Sequence, residues 1–334
     1  MELDLVDPDD ADQVAALVEL SNAAAAVDDP DPWPVQPEIL VGDLRYGYDL
    51  HPRDYYLARA DAGSQPVALV TIEMPTRDNL RLLVAEIVVH PDHRRRGYGT
   101  QLAAEIVRRA EAAGRSTIWL WARSDDPAAA AFAHRLGFRA ASQDARRRQN
   151  LSAVDEPTID RLYVQARAAS SDYVVERLPQ PIGDQLLTEL LAVTAAINDA
   201  PMGTLEFEDE HFDVARLRDM ETAWRGKGMR PYRVIARHQK TGEVAGHTLV
   251  MLHPSEPTHA FQGDTTVARE HRGHKLGLLL KIEAMRWLAE AEPQIEVIET
   301  WNNLDNTFMI NVNEALGYQL SMLHTTYELI STAN

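Results

Sequence analysis

The chain has 334 residues, more than one ordinary hydrophobic core accommodates, so its length predicts two domains. Its composition, 45% hydrophobic and 25% charged, is typical of folded globular proteins and excludes a largely disordered chain. Fifty-one acidic residues against 33 basic ones give a net charge of -18, which disfavours nucleic acid and anionic membranes as partners.

Cysteine content and targeting signals restrict further the class of protein to which this chain can belong. Because cysteine is absent, the chain has no disulfide, no thiolate nucleophile and no cysteine-based metal site. The acidic first ten residues lack the order of a secretory signal, and no run of 18 apolar residues occurs. These features predict a cytoplasmic protein without a membrane partner and leave both monomer and homodimer open.

Hydrophobic periodicity and breaker residues predict alternating helices and strands. In the first half we expect a helix over 10–27, strands over 55–59, 67–73 and 82–89, a helix from 99 to 114, a strand over 118–122, a short helix from 126 to 137 and a helical linker over 157–169. In the second half we expect a strand over 173–178, a helix over 183–198, strands over 233–236, 243–251 and 265–268, a helix ended by Pro293, a strand over 295–301 and a short helix from 306 to 317.

One block of this pattern occurs twice. Arg94 and Arg272 begin equivalent turns 178 residues apart, and three further pairs of landmarks are each 180 residues apart: Trp121 and Trp301, Asp126 and Asn306, Gly137 and Gly317. This period is far too long for a solenoid repeat, so it indicates duplication of a whole domain. We predict an N-terminal domain over 1–170 and a C-terminal domain over 171–334.

The chemistry is predicted where a strand meets a helix in each copy. The first turn, Arg94-x-x-Gly97-x-Gly99, combines a helix N-terminus, exposed main-chain N–H groups and basic side chains, which together suit a pyrophosphate. A solvated basic turn is the simpler alternative for one copy seen alone. No nucleotide-loop motif, G-x-S-x-G motif or metal-ligand spacing of histidines occurs, so we expect no metal.

With its downstream helix ending in Leu-Gly-aromatic, this turn resembles the acetyl-CoA loop of the GCN5-related N-acetyltransferase (GNAT) family. The resemblance covers the whole chain and is strongest to two-domain actinobacterial members such as mycothiol synthase. The second copy departs from the pattern at Lys275, where the family usually has glycine. The resemblance implies an α/β (α+β) fold of two tandem GNAT-like domains, each a mixed β-sheet splayed at a bulge and flanked by helices.

The resemblance also implies which residues hold acetyl-CoA, the acyl donor. Main-chain groups at the splayed strands would bind the pantetheine arm, the turns would bind the pyrophosphate, and the Asp or Asn residues downstream would lie near the arm or merely cap a helix. In the first copy these are Val88, Val89, Arg94, Arg95, Arg96, Gly97, Tyr98, Gly99, Thr100 and Asp126. In the second copy they are Val267, Ala268, Arg272, Gly273, His274, Lys275, Leu276, Gly277, Leu278, Asn303 and Asn306.

Two carboxylates are candidate general bases for attack by an amine. Glu86 and Asp264 each stand eight residues before the loop arginine, although either could instead face solvent. The tyrosine that protonates the departing thiolate in many family members is replaced by Ala133 and Asn313. Asn313 is therefore a third catalytic candidate, able to hydrogen-bond the sulfur or the pantetheine.

These expectations predict an acyltransferase that moves an acetyl group from acetyl-CoA to a primary amine of a small acceptor by direct attack in a ternary complex. We expect the second copy to do the chemistry, by resemblance to mycothiol synthase. An acidic stretch over 206–210, with Asp199, would attract a cationic acceptor. The alternative is a catalytically degenerate acetyl-CoA-binding module, as the missing tyrosines and Lys275 suggest.

Overall fold

The computed structural model describes residues 1–331, which fall into two compact units. The first unit comprises residues 1–144, 202–208 and those from 321 onward. The second unit comprises residues 145–201 and 209–320. Within residues 1–331, none of the helices has both the length and the apolar character needed to cross a membrane.

Strands and helices alternate along both halves of the chain. The strands are β1 (Glu2–Leu5), β2 (Asp54–Arg59), β3 (Pro66–Glu73), β4 (Leu82–Val89), β5 (Thr117–Arg123), β6 (Arg139–Asn150), β7 (Tyr173–Leu178), β8 (Arg230–His238), β9 (Val244–Leu252), β10 (His259–Val267), β11 (Val297–Asn303) and β12 (Gln319–Ile330). The helices are α1 (Ala11–Asp28), α2 (Pro37–Tyr46), α3 (Tyr98–Ala112), α4 (Pro127–Arg135), α5 (Glu156–Ala169), α6 (Asp184–Ala195), α7 (Val214–Gly226), α8 (Leu276–Ala291) and α9 (Thr307–Ala315).

The first unit is a mixed sheet with helices on it. Its strands follow the order β1-β2-β3-β4-β5-β12, in which β4 and β5 are parallel and β5 and β12 antiparallel. Leu102 and Ile106 of α3 pack on the sheet in one apolar cluster, and Leu17 of α1 belongs to a second. The helical spacing of these side chains explains why α3 buries one stripe and exposes the other.

The second unit repeats this plan. Its strands follow the order β6-β11-β10-β9-β8-β7, to which β6 contributes its residues from 145 onward, and β10 and β11 are its parallel pair. One cluster, which includes Leu279 and Ile282, lies under α8, and another, which includes Leu190 and Trp224, lies under α6 and α7. The predicted fold class, duplicated mixed sheets flanked by helices, is confirmed.

The last strand of each sequence copy reaches the unit of the other copy: β12 belongs to the first unit from residue 321 onward, and β6 belongs to the second unit from residue 145 onward. β12 follows α9 in the chain but pairs with β5, from Thr117↔Ile330 to Arg123↔His324. β6 follows α4 but neighbours β11. The division at residue 170 stays a prediction about the sequence copies, because the compact units of the fold are built from interleaved segments.

Two helices, α2 and α7, lie in segments for which the sequence predicted neither a helix nor a strand. α2 begins at Pro37, a residue well suited to a first helical turn, and α7 is capped by Asp213, whose carboxylate accepts from the Arg216 N–H at 2.7 Å. Both helices are short and rich in charge, so their apolar stripes were too weak to signal a helix. In contrast, the predicted helix over 10–27 is confirmed as α1, with Asp10 as its cap.

Candidate active site

Both arginine turns lie between the end of a strand and the start of a helix, as predicted. In the first unit β4 leads through a 3-10 turn at Pro91–His93 to α3. In the second unit β10 leads through a 3-10 turn at Arg269–His271 to α8. The two turns are therefore equivalent in position as well as in sequence.

Each turn contains two residues in the left-handed region, and one of the two is glycine. The pair is Arg95 (φ 63°) and Gly97 (φ 89°) in the first turn. In the second turn it is Gly273 (φ 88°) and Lys275 (φ 56°). Lys275 thus keeps the backbone conformation of the glycine that it replaces, and the glycine occupies the other left-handed position.

This backbone leaves a group of main-chain donors at each helix start. In the described part of the chain, no main-chain carbonyl accepts from the N–H groups of residues 95–99 or 273–278. The first N–H groups of any helix lack an intrahelical partner, and the helix dipole adds positive potential there. Each turn is therefore a cradle for an anion made of main-chain groups.

The leading arginines bind the protein itself. Arg94 donates through Nε to the Val89 carbonyl at 3.0 Å and forms a two-pronged ion pair with Asp28 at 2.7 and 2.6 Å. Arg272 repeats the pattern with the Val267 carbonyl at 3.1 Å and Asp199 at 2.5 Å. Their guanidinium groups tie the first turn to the end of α1 and the second turn to the 3-10 turn at Ala196–Asp199.

The remaining turn residues have mixed surroundings. Arg95, Arg96, Thr100, His274 and Lys275 are exposed, whereas Leu276 and Leu278 are buried in the apolar cluster under α8. Arg96 donates to the Asp92 carbonyl at 2.9 Å, and the His274 carbonyl accepts from the Ser170 hydroxyl at 2.6 Å. A Cβ on Gly99 would lie 3.5 Å from the Phe132 ring, an ordinary van der Waals contact, so packing alone does not require glycine there.

Both sheets splay immediately before these turns. The parallel pairing of β4 with β5 ends at Ala85↔Leu120, and that of β10 with β11 ends at Phe261↔Glu299. In the second unit β10 also carries a register shift against β9 between Gln262 and Thr265, which is the predicted bulge. The first unit is splayed without a bulge, because β3 and β4 keep one register throughout.

The splay leaves one edge of β4 and of β10 without a strand neighbour. The N–H groups of His90 and Ala268 donate to the Val67 and Ala245 carbonyls on the other edge, at 2.9 Å each. Because N–H groups alternate between the two edges of a strand, those of Val89 and Val267 face the open edge. Val88 and Ala268 direct their N–H groups to the paired edge, so of the four predicted residues only Val89 and Val267 offer a free donor to a pantetheine arm.

Glu86 and Asp264 stand at the start of the two splays. Glu86 is the first residue of β4 beyond its pairing with β5, and Asp264 lies within the β10 bulge. Both are half-buried, and burial raises the pKa of each carboxyl. Arg53 opposes the rise in the pKa of Glu86, as Arg233 does for Asp264. A carboxyl with a raised pKa beside a cleft is suited to accept a proton.

Asp264 has a buried polar pair near it, Arg233 and His247, which the sequence analysis did not single out. Arg233 of β8 donates to His247 Nδ1 of β9 at 3.2 Å, and both side chains are buried. Burial lowers the pKa of His247 well below its ordinary value, so the ring is neutral and its Nε2, which has no partner, carries the proton. The equivalent positions in the first copy are Tyr55 and Leu69, so the second copy alone places a buried imidazole donor here.

The Asp and Asn residues downstream act as caps. The Asp126 carboxylate accepts from the N–H groups of Ala128 and Ala129 at 2.8 and 3.1 Å, and Asn306 accepts from Met309 at 3.1 Å. Asn303 Oδ1 accepts from the Asp305 N–H at 3.0 Å. The geometry thus gives all three a local structural role, whatever else they contact.

Asn313 is completely buried on α9. Its Nδ2 donates to Asn302 Oδ1 at 2.7 Å, while its Oδ1 has no hydrogen-bond partner. Ala133, the equivalent residue of α4, is also buried. Sequence reasoning did not single out Lys281, which is 3% exposed in the middle of α8; a lysine flanked by leucine and isoleucine was the signal that could have found it.

The acidic stretch that was expected to attract a cation is partly used inside the protein. Asp199 pairs with Arg269 and Arg272, which lower its pKa to about 2. Glu210 pairs with Arg216 at 2.6 Å. These carboxylates are neutralised by the protein's own arginines, so little negative charge from them is left for an acceptor. Within residues 1–331, no group of three acidic or histidine side chains could hold a metal ion.

Comparison with known proteins agrees with this duplicated arrangement. The model of the acetyltransferase (GNAT) family matches residues 18–138 and again residues 190–318. Mycothiol acetyltransferase of Saccharomonospora viridis is 28% identical over 251 residues, covering 71% of each chain. The mycothiol acetyltransferase of Acidothermus cellulolyticus is 27% identical over 331 residues, covering 94% of this chain and 92% of its own.

Solved structures also show this duplicated GNAT arrangement. A tandem GNAT protein from the clavulanic acid biosynthesis pathway, solved without acetyl-CoA, covers 100% of this chain with 99% of its own, at 26% identity and a TM-score of 0.79. A GCN5-related N-acetyltransferase from Sphaerobacter thermophilus, 16% identical, shares the fold with a TM-score of 0.71. The family model matches twice and spans most of the chain, so the chain belongs to the GNAT family as a tandem, acetyl-CoA-dependent N-acetyltransferase.

Proposed function

We propose that the second copy transfers the acetyl group of acetyl-CoA directly to a primary amine of a small molecule, within a ternary complex and without a covalent intermediate. Asp264 supports this most, because a half-buried carboxyl with a raised pKa stands in a bulge at the open edge of β10. The relatives named for mycothiol favour a small-molecule acceptor.

Three groups of residues carry the proposed reaction. The pyrophosphate binds the main-chain N–H groups of residues 273–278, and the Val267 N–H binds the pantetheine or polarises the acetyl carbonyl. Asp264 takes a proton from the acceptor amine, directly or through a water, so that the neutral nitrogen attacks the thioester carbon. Collapse of the tetrahedral intermediate then expels the coenzyme thiolate, and the nitrogen gives its second proton to water, which leaves the neutral amide.

The first copy is proposed to bind acetyl-CoA with little or no turnover. Its turn offers the same main-chain donors, and Glu86 is matched to Asp264, but Leu69 and Ala133 replace the polar His247 and Asn313. Catalytic degeneracy, considered above for the whole chain, is thus assigned to this copy.

The test is thiol release from acetyl-CoA with a panel of polyamines, aminoglycosides, cysteinyl sugars and amino-terminal peptides. Asp264→Asn is expected to lower the rate on the accepted amine by about 10²-fold or more, while Glu86→Gln, the matched change in the first copy, leaves most of it. Saturable acetyl-CoA binding without turnover on any amine would refute catalysis. Full activity of Asp264→Asn would refute the assignment of the base.

A further inference from the structure

Three buried positions in the second unit are polar where the first copy is apolar. Lys281, Asn313 and Tyr318 are 3%, 0% and 4% exposed. Their counterparts, at the copy spacings of 178 and 180 residues, are Ala103, Ala133 and Phe138, each 3% exposed. The fold therefore forms without polar groups here, and the second copy carries them at a cost in stability.

That cost is visible in their contacts. Asn313 Oδ1 has no hydrogen-bond partner, and Lys281 Nζ lies 5.0 Å from the centre of the Tyr318 ring. Burial alone lowers the pKa of Lys281 to about 7, and no carboxylate contributes to the shift. The aromatic ring next to Lys281 is that of Tyr318, and burial raises the pKa of its phenol.

These side chains lie over the splay of β10 and β11. Lys281 is one turn beyond Gly277 on the same face of α8, and a Cβ on Gly277 would contact Thr265 Cγ2 at 3.8 Å, beyond the last paired residue of β10. From α9, Asn313 donates a hydrogen bond to Asn302, which lies in the part of β11 beyond its pairing with β10. The Tyr318 N–H donates to the Asn313 main-chain carbonyl at 3.0 Å, which holds Tyr318 at the C-terminal end of α9.

Resting on the function proposed above, we infer that Lys281 is the proton donor to the departing thiolate of the coenzyme in the second copy. The Lys281 ammonium group, on α8 above the splay, lies next to the coenzyme sulfur as the carbon–sulfur bond breaks. The thiolate takes one proton from Lys281 and leaves as the thiol. Lys281 becomes a neutral amine and is reprotonated by the proton that Asp264 removed from the acceptor, or from solvent, so protons and charge balance.

The inference accounts for the missing tyrosine. A lysine whose pKa lies near neutrality can be protonated before the step and neutral after it, which an ordinary exposed lysine cannot do as readily. In the first copy, Ala103 and Ala133 supply neither kind of donor.

The test needs no acceptor. Free coenzyme A is bound to the whole protein, and the ionisation of its thiol is followed by the ultraviolet absorbance of the thiolate during a pH titration. In the wild-type protein, one population of bound thiol should ionise at least about one unit below the ordinary value of about 8.5, because an ammonium stabilises the anion. In Lys281→Met that shift should vanish, and in Lys240→Met, an exposed lysine of the same unit, it should remain.

Calorimetry with acetyl-CoA separates the possible failures. Lys281→Met should bind the coenzyme with unchanged stoichiometry and affinity, which also shows that the variant is folded, and its turnover should fall about 10²-fold or more. A wild-type protein that binds coenzyme A without a shifted thiol pKa, or the same shift in Lys281→Met, would overturn the role of Lys281 alone. A wild-type protein that does not bind the coenzyme would overturn the proposed function with it.

Discussion

The buried lysine of α8 has a consequence for stability that is independent of catalysis. Because the pKa of Lys281 is about 7 in the folded protein and 10.5 in the unfolded chain, the charged form is penalised on folding. The penalty is complete below about pH 7 and disappears as the pH rises to 10.5. We expect Lys281→Met to be more stable than the wild type at about pH 6, by up to roughly 5 kcal/mol, with the advantage shrinking towards about pH 10.

Denaturant unfolding of both proteins at several pH values measures this difference, and Lys240→Met serves as the control because that side chain is exposed. An advantage that does not change with pH would mean that Lys281 is not titrating in the folded protein.

The left-handed residues of the two turns allow a matched pair of substitutions. Lys275 adopts a positive φ, which is strained for a residue with a Cβ but not for glycine, as at Gly97. A Cβ at Gly97 would contact nothing within 4 Å, so backbone strain alone distinguishes the two positions. We expect Lys275→Gly to raise the stability of the second unit and Gly97→Ala to lower that of the first, each by about 1 kcal/mol. Thermal melting of the two variants would contradict this interpretation if both changes had the same sign.

At the scale of elements, the ion pair of Arg94 with Asp28 joins the coenzyme turn to the end of α1. If Asp28 acted only through its charge, Asp28→Asn would strengthen the binding of an anionic coenzyme. We expect instead that it weakens binding to the first copy about threefold to tenfold, because the turn loses the contact that orients its N–H groups.

Calorimetry with acetyl-CoA is the measurement for Asp28→Asn, and Asp12→Asn is its control, since it removes an exposed charge from the same helix without touching the turn. Tighter binding by Asp28→Asn than by the control would show that the arginine is freed to bind phosphate and that its pairing with Asp28 is inhibitory.

At the scale of the whole molecule, the first unit depends on a strand from the far end of the chain. β12 pairs with β5 along seven residues, and Glu328 of β12 accepts from the Trp119 indole at 3.1 Å. Leu205 and Phe207, also distant in sequence, pack on the same tryptophan. A fragment of residues 1–170 therefore exposes the edge of β5 and should lack the cooperative unfolding transition of the intact protein.

Adding a peptide of residues 319–331 to that fragment should restore part of the transition and the environment of Trp119, measured by near-ultraviolet circular dichroism. A scrambled peptide is the control. A fragment that unfolds cooperatively at the same midpoint with and without the peptide would show that β12 is dispensable for the first unit.

Local sequence alone determined the duplication, the turns and most helices and strands. Arg94, Gly97 and Gly99 act through the backbone at a strand end, so their spacing was sufficient, and caps such as Asp10 and Asp126 act on their own helices. The position of Asp264 at a splay followed from the family resemblance, because a bulge depends on pairing with a second strand. α2 and α7 were missed because their apolar stripes are short.

Only the tertiary structure decided which partners meet across long separations. It paired Arg94 with Asp28 and Arg272 with Asp199, so each arginine ties its turn to a helical segment distant in sequence. It also brought Lys281 close to Tyr318 and placed β12 beside β5. Burial, which shifts the pKa of a lysine and neutralises a histidine, is a property of the packed environment and not of the residue, so no reading of the chain in one dimension could supply it.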